Sequence, residues 1–135
     1  NFSKIKEKKL LGICLGMQLL FDKSSEFGLY KGLGLIDGKI EKLPTKNAFV
    51  PNIGWRKLEA PKNKIFNSFN KRYFYFSHSF YAIPKKFKIA TSFISHGNKK
   101  ICTSIMYENI FGIQFHPEKS HKDGINLIKK VLDYK

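Results

Sequence analysis

Cysteine, histidine and glutamate together make and break acyl bonds through a thiol, and this sequence carries them in two short segments. In Gly12-Ile13-Cys14-Leu15-Gly16-Met17-Gln18, glycines stand two positions before and two positions after the cysteine. The preceding Leu10-Leu11-Gly12-Ile13 reads as a buried strand, and Leu15 to Phe21 continues with helical spacing. A strand–turn–helix with a central nucleophile needs small flanking residues, because the side chain must project from a strained backbone. Free N–H groups and the dipole at the helix start are expected to lower the thiol pKa, with the Leu15 N–H placed to receive an oxyanion. The bland alternative is a buried cysteine packed as a small hydrophobe. Cys102 fits that alternative, since it alternates with Ile101 and Thr103 in an ordinary strand pattern without glycines around it.

A thiol nucleophile needs a histidine, and the histidine needs a group to fix its tautomer. His116 ends the apolar run Ile110 to Phe115, Pro117 stops the strand, and Glu118 follows two residues on. If the segment stays extended, Glu118 and His116 face the same way and the carboxylate stabilises an imidazolium. Of the four histidines, His78 lies among aromatics in a strand and reads as a satisfied core residue; His96 reads as a turn residue, and His121 precedes the last helix. No pair of histidines and cysteines has the close spacing of a zinc site, so no metal is expected.

The elements that position these residues come from a chain of 135 residues, 42% hydrophobic, enough for one packed domain. Asp37-Gly38 between apolar segments predicts a hairpin within Leu33 to Leu43, after a loop over Ser24 to Lys31. Phe49 to Leu58 reads as extended, and Ile65, Phe66 and Phe69 as one side of a short helix. Tyr73 to Ile83, Lys88 to His96, Ile101 to Tyr107 and Ile110 to Phe115 read as strands. Ile125, Ile128 and Leu132, with Leu127 and Val131, predict an amphipathic closing helix. The start, Asn1 to Lys9, is basic and lacks the apolar core of a secretory signal, and no run approaches a membrane span. Two cysteines in different settings suggest a reducing compartment, so a soluble, cytoplasmic protein is expected. The charge of +15 is almost all lysine, with Arg56 and Arg72 the only arginines. Scattered lysine argues against a nucleic-acid partner.

The two motifs together, Gly12 to Gln18 and Phe115-His116-Pro117-Glu118, resemble the class I glutamine amidotransferase family. Gly32-Leu33-Gly34-Leu35-Ile36, Val50-Pro51-Asn52-Ile53-Gly54-Trp55, His78-Ser79-Phe80 and His116-Pro117-Glu118-Lys119-Ser120 look like one branch of it, the glutaminase subunits of imidazole glycerol phosphate synthases. The resemblance implies an α/β fold, an open mixed sheet with flanking helices of flavodoxin-like kind, over residues 1–135. It implies that Cys14 attacks the glutamine amide, His116 acts as base and acid, and Glu118 orients it. Leu15 would supply the oxyanion donor, and Gly16, Gln18, Ser79 and Phe80 would bind the substrate. Trp55, Tyr75 and Lys119 match positions near a (β/α)₈-barrel cyclase partner in a heterodimer; ordinary packing is the alternative for the two aromatics. No cofactor is implied. The family's amino-terminal strands and a second oxyanion loop, on the order of 70 residues of a doubly wound sheet, would precede the elbow. The expectation is therefore a carboxy-terminal two-thirds of the domain. Two other readings fit the residues: a relative that supplies ammonia to a sugar-amidating enzyme, and a catalytically silent binding module.

Overall fold

Leucine and isoleucine without polar alternation form the first strand among the described residues. Leu10–Ile13 forms β1 and lies parallel to β10, Ile110–Ile113, with Leu10 opposite Ile110 and Ile13 opposite Ile113. The computed structural model describes residues 8–26, 28–60 and 63–135, so the reading of Asn1 to Lys9 lies, through residue 7, outside the described residues. β9, Lys99–Tyr107, runs antiparallel to β10, and β8, Ala90–His96, antiparallel to β9. All of β10 is buried, as its apolar composition predicts. β1 is less covered: Leu10, Leu11 and Ile13 are only half-buried, because its one strand neighbour among the described residues is β10.

A second sheet has the order β3-β2-β4-β7, from Tyr30–Lys31, Phe21–Ser24, Ile36–Lys42 and Phe80–Pro84. Here several expectations fail. The helix α1 spans only Leu15–Leu19, and Phe21 already begins β2. The hairpin joins β2 to β3, inside the stretch read as loop. Asp37-Gly38 makes no turn; it lies within β4, which is parallel to β2 and antiparallel to β7. Gly38 is required for another reason: it has φ 145°, and a Cβ there would stand 2.5 Å from the Ile83 carbonyl of β7. Tyr73 to Ile83 is two strands in two sheets. β6, Tyr73–His78, pairs antiparallel with β5, Asn52–Lys57, whereas β7 begins after Ser79.

Aromatic and aliphatic side chains from these layers meet in one cluster that includes Phe74, Phe76, Phe111, Phe115, Leu127 and Val131. Fully burying each such side chain contributes about 1.5–3 kcal/mol before conformational entropy is set against it. The apolar trio Ile65, Phe66 and Phe69 is buried as expected, although the helix is a single 3₁₀ turn, Asn67–Phe69. Another 3₁₀ turn, Phe87–Ile89, leads into β8. The closing helix α2, His121–Asp133, turns inward only part of the aliphatic set its spacing suggests. Gly124, Leu127 and Val131 are buried, while Ile125 and Leu132 are exposed. A Cβ at Gly124 would collide with the Pro117 carbonyl, so the glycine lets α2 seat closely on the turn that follows His116. Among the described residues no helix is long and apolar enough to cross a membrane.

Candidate active site

The change from β1 to α1 falls on one residue. Cys14 caps α1 with φ 53° and ψ −111°, a backbone region disfavoured for a side-chain-bearing residue and worth roughly 1–3 kcal/mol of strain. Its N–H donates to the Ile113 carbonyl at 2.7 Å, which ties the elbow to the end of β10. Gly12 is sterically obligatory, since a Cβ would stand 2.5 Å from the Gly16 carbonyl. Gly16 is not, because a Cβ there meets nothing within 4 Å. The symmetric small-residue demand read from the spacing therefore holds on one side only.

The half-buried Cys14 thiol contacts the Ser77 carbonyl at 3.9 Å and accepts from the Gln114 amide at 3.8 Å. Its pKa is raised above the ordinary thiol value, first by burial and then by the Glu118 carboxylate, against the lowering effect of the Leu15 N–H and of Gln114. This reverses the sequence expectation of a depressed pKa. A five-residue helix brings little dipole, and the opposing burial is the larger effect.

His116 follows β10 and caps a 3₁₀ turn, Pro117–Lys119. Its Nδ1 is 2.6 Å from Glu118 Oε1. The pair forms across a turn and not along an extended strand, so the i, i+2 argument reached the right contact by the wrong geometry. A closed set of bonds fixes the turn to β6: the His116 N–H donates to the Tyr75 carbonyl at 2.9 Å, the Tyr75 N–H to Ser120 Oγ at 3.0 Å, and Ser120 Oγ to the His116 carbonyl at 2.7 Å. Tyr75 and Ser77 are alternate residues of β6. One strand thus supports both His116 and, through the Ser77 carbonyl, the Cys14 thiol.

Gln18 is buried on α1, and its Nε2 donates to the Phe80 carbonyl at 3.2 Å and to Gln114 Oε1 at 3.1 Å. Phe80 also accepts from His78 Nδ1 at 2.8 Å, while His78 Nε2 lies 2.9 Å from Asn52 Nδ2. His78 is a buried, fully partnered histidine, as its strand setting suggests; burial pushes its pKa down to about 4. Trp55, 40% exposed, is edge-on to Tyr75 at 6.0 Å and stacked on His121 at 5.1 Å, and Lys119 Nζ lies 5.9 Å from the Tyr75 ring centre. Trp55 is a surface aromatic and not core packing. His96 is buried at the end of β8 and bonds the Pro44 carbonyl at 2.9 Å.

The roles of Gln114 and Ser120 escaped the sequence reading. The signal for Gln114 was a lone amide inside Ile113-Gln114-Phe115, an apolar run where a polar side chain needs a partner. Cys102 is buried, with its pKa pushed up to about 12. Among the described residues no three His, Cys, Asp or Glu side chains converge as a metal site does.

Residues 2–133 match the family described as glutamine amidotransferase class-I. The chain is 46% identical to the imidazole glycerol phosphate synthase subunit HisH of Pyrococcus furiosus, over 90% of this chain and 63% of that protein. It is 45% identical to imidazole glycerol phosphate synthase subunit HisH 2 of Vibrio vulnificus, over 96% of this chain and 61% of that one. It therefore spans a little over three-fifths of these relatives' length. The fold is similar to the crystal structure of a putative GMP synthase protein from Thermoplasma acidophilum, with a TM-score of 0.62 at 19% identity, covering 92% of this chain and 55% of that one. An elbow cysteine, a histidine–glutamate pair in the turn beyond the neighbouring strand and a match along nearly the whole sequence lead to one assignment: the chain belongs to the class-I glutamine amidotransferase family.

Proposed function

We propose that this chain carries the glutamine-hydrolysing centre of an imidazole glycerol phosphate synthase, and that it passes ammonia to a (β/α)₈-barrel cyclase subunit in histidine biosynthesis. The observation that carries the reading is that the elbow cysteine at the end of β1 and the His116–Glu118 pair beyond β10 both rest on β6, with the Glu118 carboxylate close enough to raise the Cys14 pKa. The acceptor is inferred from relatives at 45–46% identity that are named as subunits of that synthase.

In this reading His116 takes the Cys14 proton as sulfur attacks the side-chain amide carbon of glutamine. The carbonyl electron pair moves onto oxygen, and the Leu15 N–H is the backbone donor that receives it. Collapse breaks the C–N bond, His116 returns the proton to nitrogen, and ammonia leaves behind a γ-glutamyl thioester. Water, deprotonated by His116, then releases glutamate and restores the thiol. Glu118 occupies Nδ1, which leaves Nε2 for proton traffic and stabilises the imidazolium. Because the resting thiol pKa is raised, thiolate forms at neutral pH chiefly through transfer to this base.

Gly16, Gln18 and the backbone of Ser79 and Phe80 are proposed to hold the amino-acid end of glutamine. The cluster of the exposed Trp55 and Lys119 with the half-buried Tyr75 is proposed as part of the surface that docks the cyclase. The test is to quench the intact protein with acid during glutamine turnover and to map the adduct by mass spectrometry. A glutamyl mass on the Cys14 peptide is expected. Sustained glutamate and ammonia production with Cys14 replaced by alanine would contradict the reading.

A further inference from the structure

We propose that His78 is a positioning residue for the glutaminase reaction: its Nδ1–H fixes the Phe80 carbonyl from which Gln18 is held, and Asn52 determines that the proton sits on Nδ1. The proposal rests on the glutaminase reading above and adds a residue outside the Cys14–His116–Glu118 set.

Matching donors to acceptors around the ring decides its tautomer. Asn52 Oδ1 accepts from Arg56 Nε at 2.9 Å, so the other atom of the Asn52 amide, Nδ2, is a donor. Nδ2 lies 2.9 Å from His78 Nε2, which must therefore be the unprotonated ring nitrogen. The neutral ring then carries its proton on Nδ1, 2.8 Å from the Phe80 carbonyl. That carbonyl has a second donor, Gln18 Nε2, and the same Gln18 nitrogen reaches Gln114, whose own amide donates to the Cys14 sulfur. One chain of donors, from Arg56 on β5 through Asn52 and His78, thus ends on the oxygen to which Gln18 also donates, and Gln18 starts a second chain that runs from there through Gln114 to the Cys14 sulfur.

Asn52 and His78 are both buried and face each other across β5 and β6, which leaves water little access to substitute for either bond. Burial also holds the ring neutral through the neutral pH range. Phe80 starts β7 immediately after the step from β6, where the backbone is proposed to bind substrate. Without the His78 donor the carbonyl keeps only the longer bond from Gln18. The consequence is a looser seat for glutamine, not a loss of proton transfer.

The experiment compares three variants of the intact protein assembled with its partner subunit. His78→Leu removes both ring contacts. His78→Gln carries an amide to the Nε2 position and loses the Phe80 contact, whereas His78→Asn places its amide at the Nδ1 position and keeps a donor there. Expected are an approximately tenfold rise in KM for glutamine in His78→Leu and His78→Gln with kcat nearly unchanged, and a KM near that of the parent in His78→Asn. Nitrogen-15 NMR of the parent ring is expected to show the Nδ1–H tautomer without any substrate present. An Nε2–H tautomer, an unchanged KM in His78→Gln, or a KM in His78→Asn as high as in His78→Gln would overturn the proposal while leaving the glutaminase reading intact. A parent protein that turns over no glutamine would overturn both.

Discussion

Cys14 follows β1 and Cys102 lies in β9, two strands away in the same sheet, and neither thiol is acidic at rest: burial raises both pKa values, that of Cys102 to about 12. What separates them is geometry. Cys14 is held at φ 53° in an elbow with the Gln114 amide at its sulfur and within the field of the Glu118 carboxylate that pairs with His116, whereas Cys102 lies in a regular strand and points its S–H at the Ser104 carbonyl, 3.4 Å away. Resting acidity therefore does not identify the nucleophile here. The position of a base, and of donors for the charge that develops, does.

The strongest way to break that comparison is to remove the base. His116→Asn in the intact protein is expected to cut glutamine turnover by about 10²–10⁴-fold, the range of general acid–base catalysis. Turnover close to that of the parent would place the base elsewhere. Glu118→Gln should cost less, about 10–100-fold, the scale of a hydrogen bond to a charged group. The same substitution removes a contribution that raises the Cys14 pKa, so at alkaline pH, where hydroxide and not His116 takes the proton, more thiolate exists and alkylation by iodoacetamide should accelerate. Slower alkylation together with slower turnover would contradict that assignment of the carboxylate's field.

A finer cut concerns the two glycines. Gly12→Ala should destabilise the protein by about 1–3 kcal/mol through overpacking against the Gly16 carbonyl, as read by thermal melting. Gly16→Ala has room and should leave the melting temperature almost unchanged while raising KM for glutamine. Equal melting shifts would show that the elbow relaxes around either side chain. The smallest effect is expected for Cys102→Ser, with turnover close to that of the parent. In the parent, alkylation of Cys14 should rise with pH through a midpoint above that of an ordinary thiol, while Cys102 stays unmodified over the same range. Modification of Cys102 at the rate of Cys14 would erase the contrast between them.

The reactive residues were legible because their neighbours in sequence carry the information. Gly12 frames Cys14, and Pro117 brings Glu118 back to His116. The residues around them were not, because their partners are distant in the chain: Gln114 meets Gln18 and Cys14, and His78 meets Asn52, only after the sheets are assembled. The same limit explains the misread elements. Asp37-Gly38 has the composition of a turn, but the glycine serves the close approach of β7, which no local window contains. In Tyr73 to Ile83 the strand preference is continuous, and the break at Ser79 comes from tertiary pairing, where its carbonyl accepts from Leu43 N–H at 2.8 Å. In α2 the aliphatic spacing named five residues, and of these the side that carries Leu127 and Val131, in line with the glycine seated on Pro117, is the one buried.

The most direct test of the central claim is to replace Cys14 with alanine in the intact protein assembled with its synthase partner and to measure product formation separately with glutamine and with supplied ammonia. The account predicts that the glutamine-dependent reaction falls by about 10⁴-fold or more, as when a covalent nucleophile is removed, while the ammonia-dependent reaction continues at the parental rate. Loss of both reactions, or persistence of the glutamine-dependent one, would contradict it.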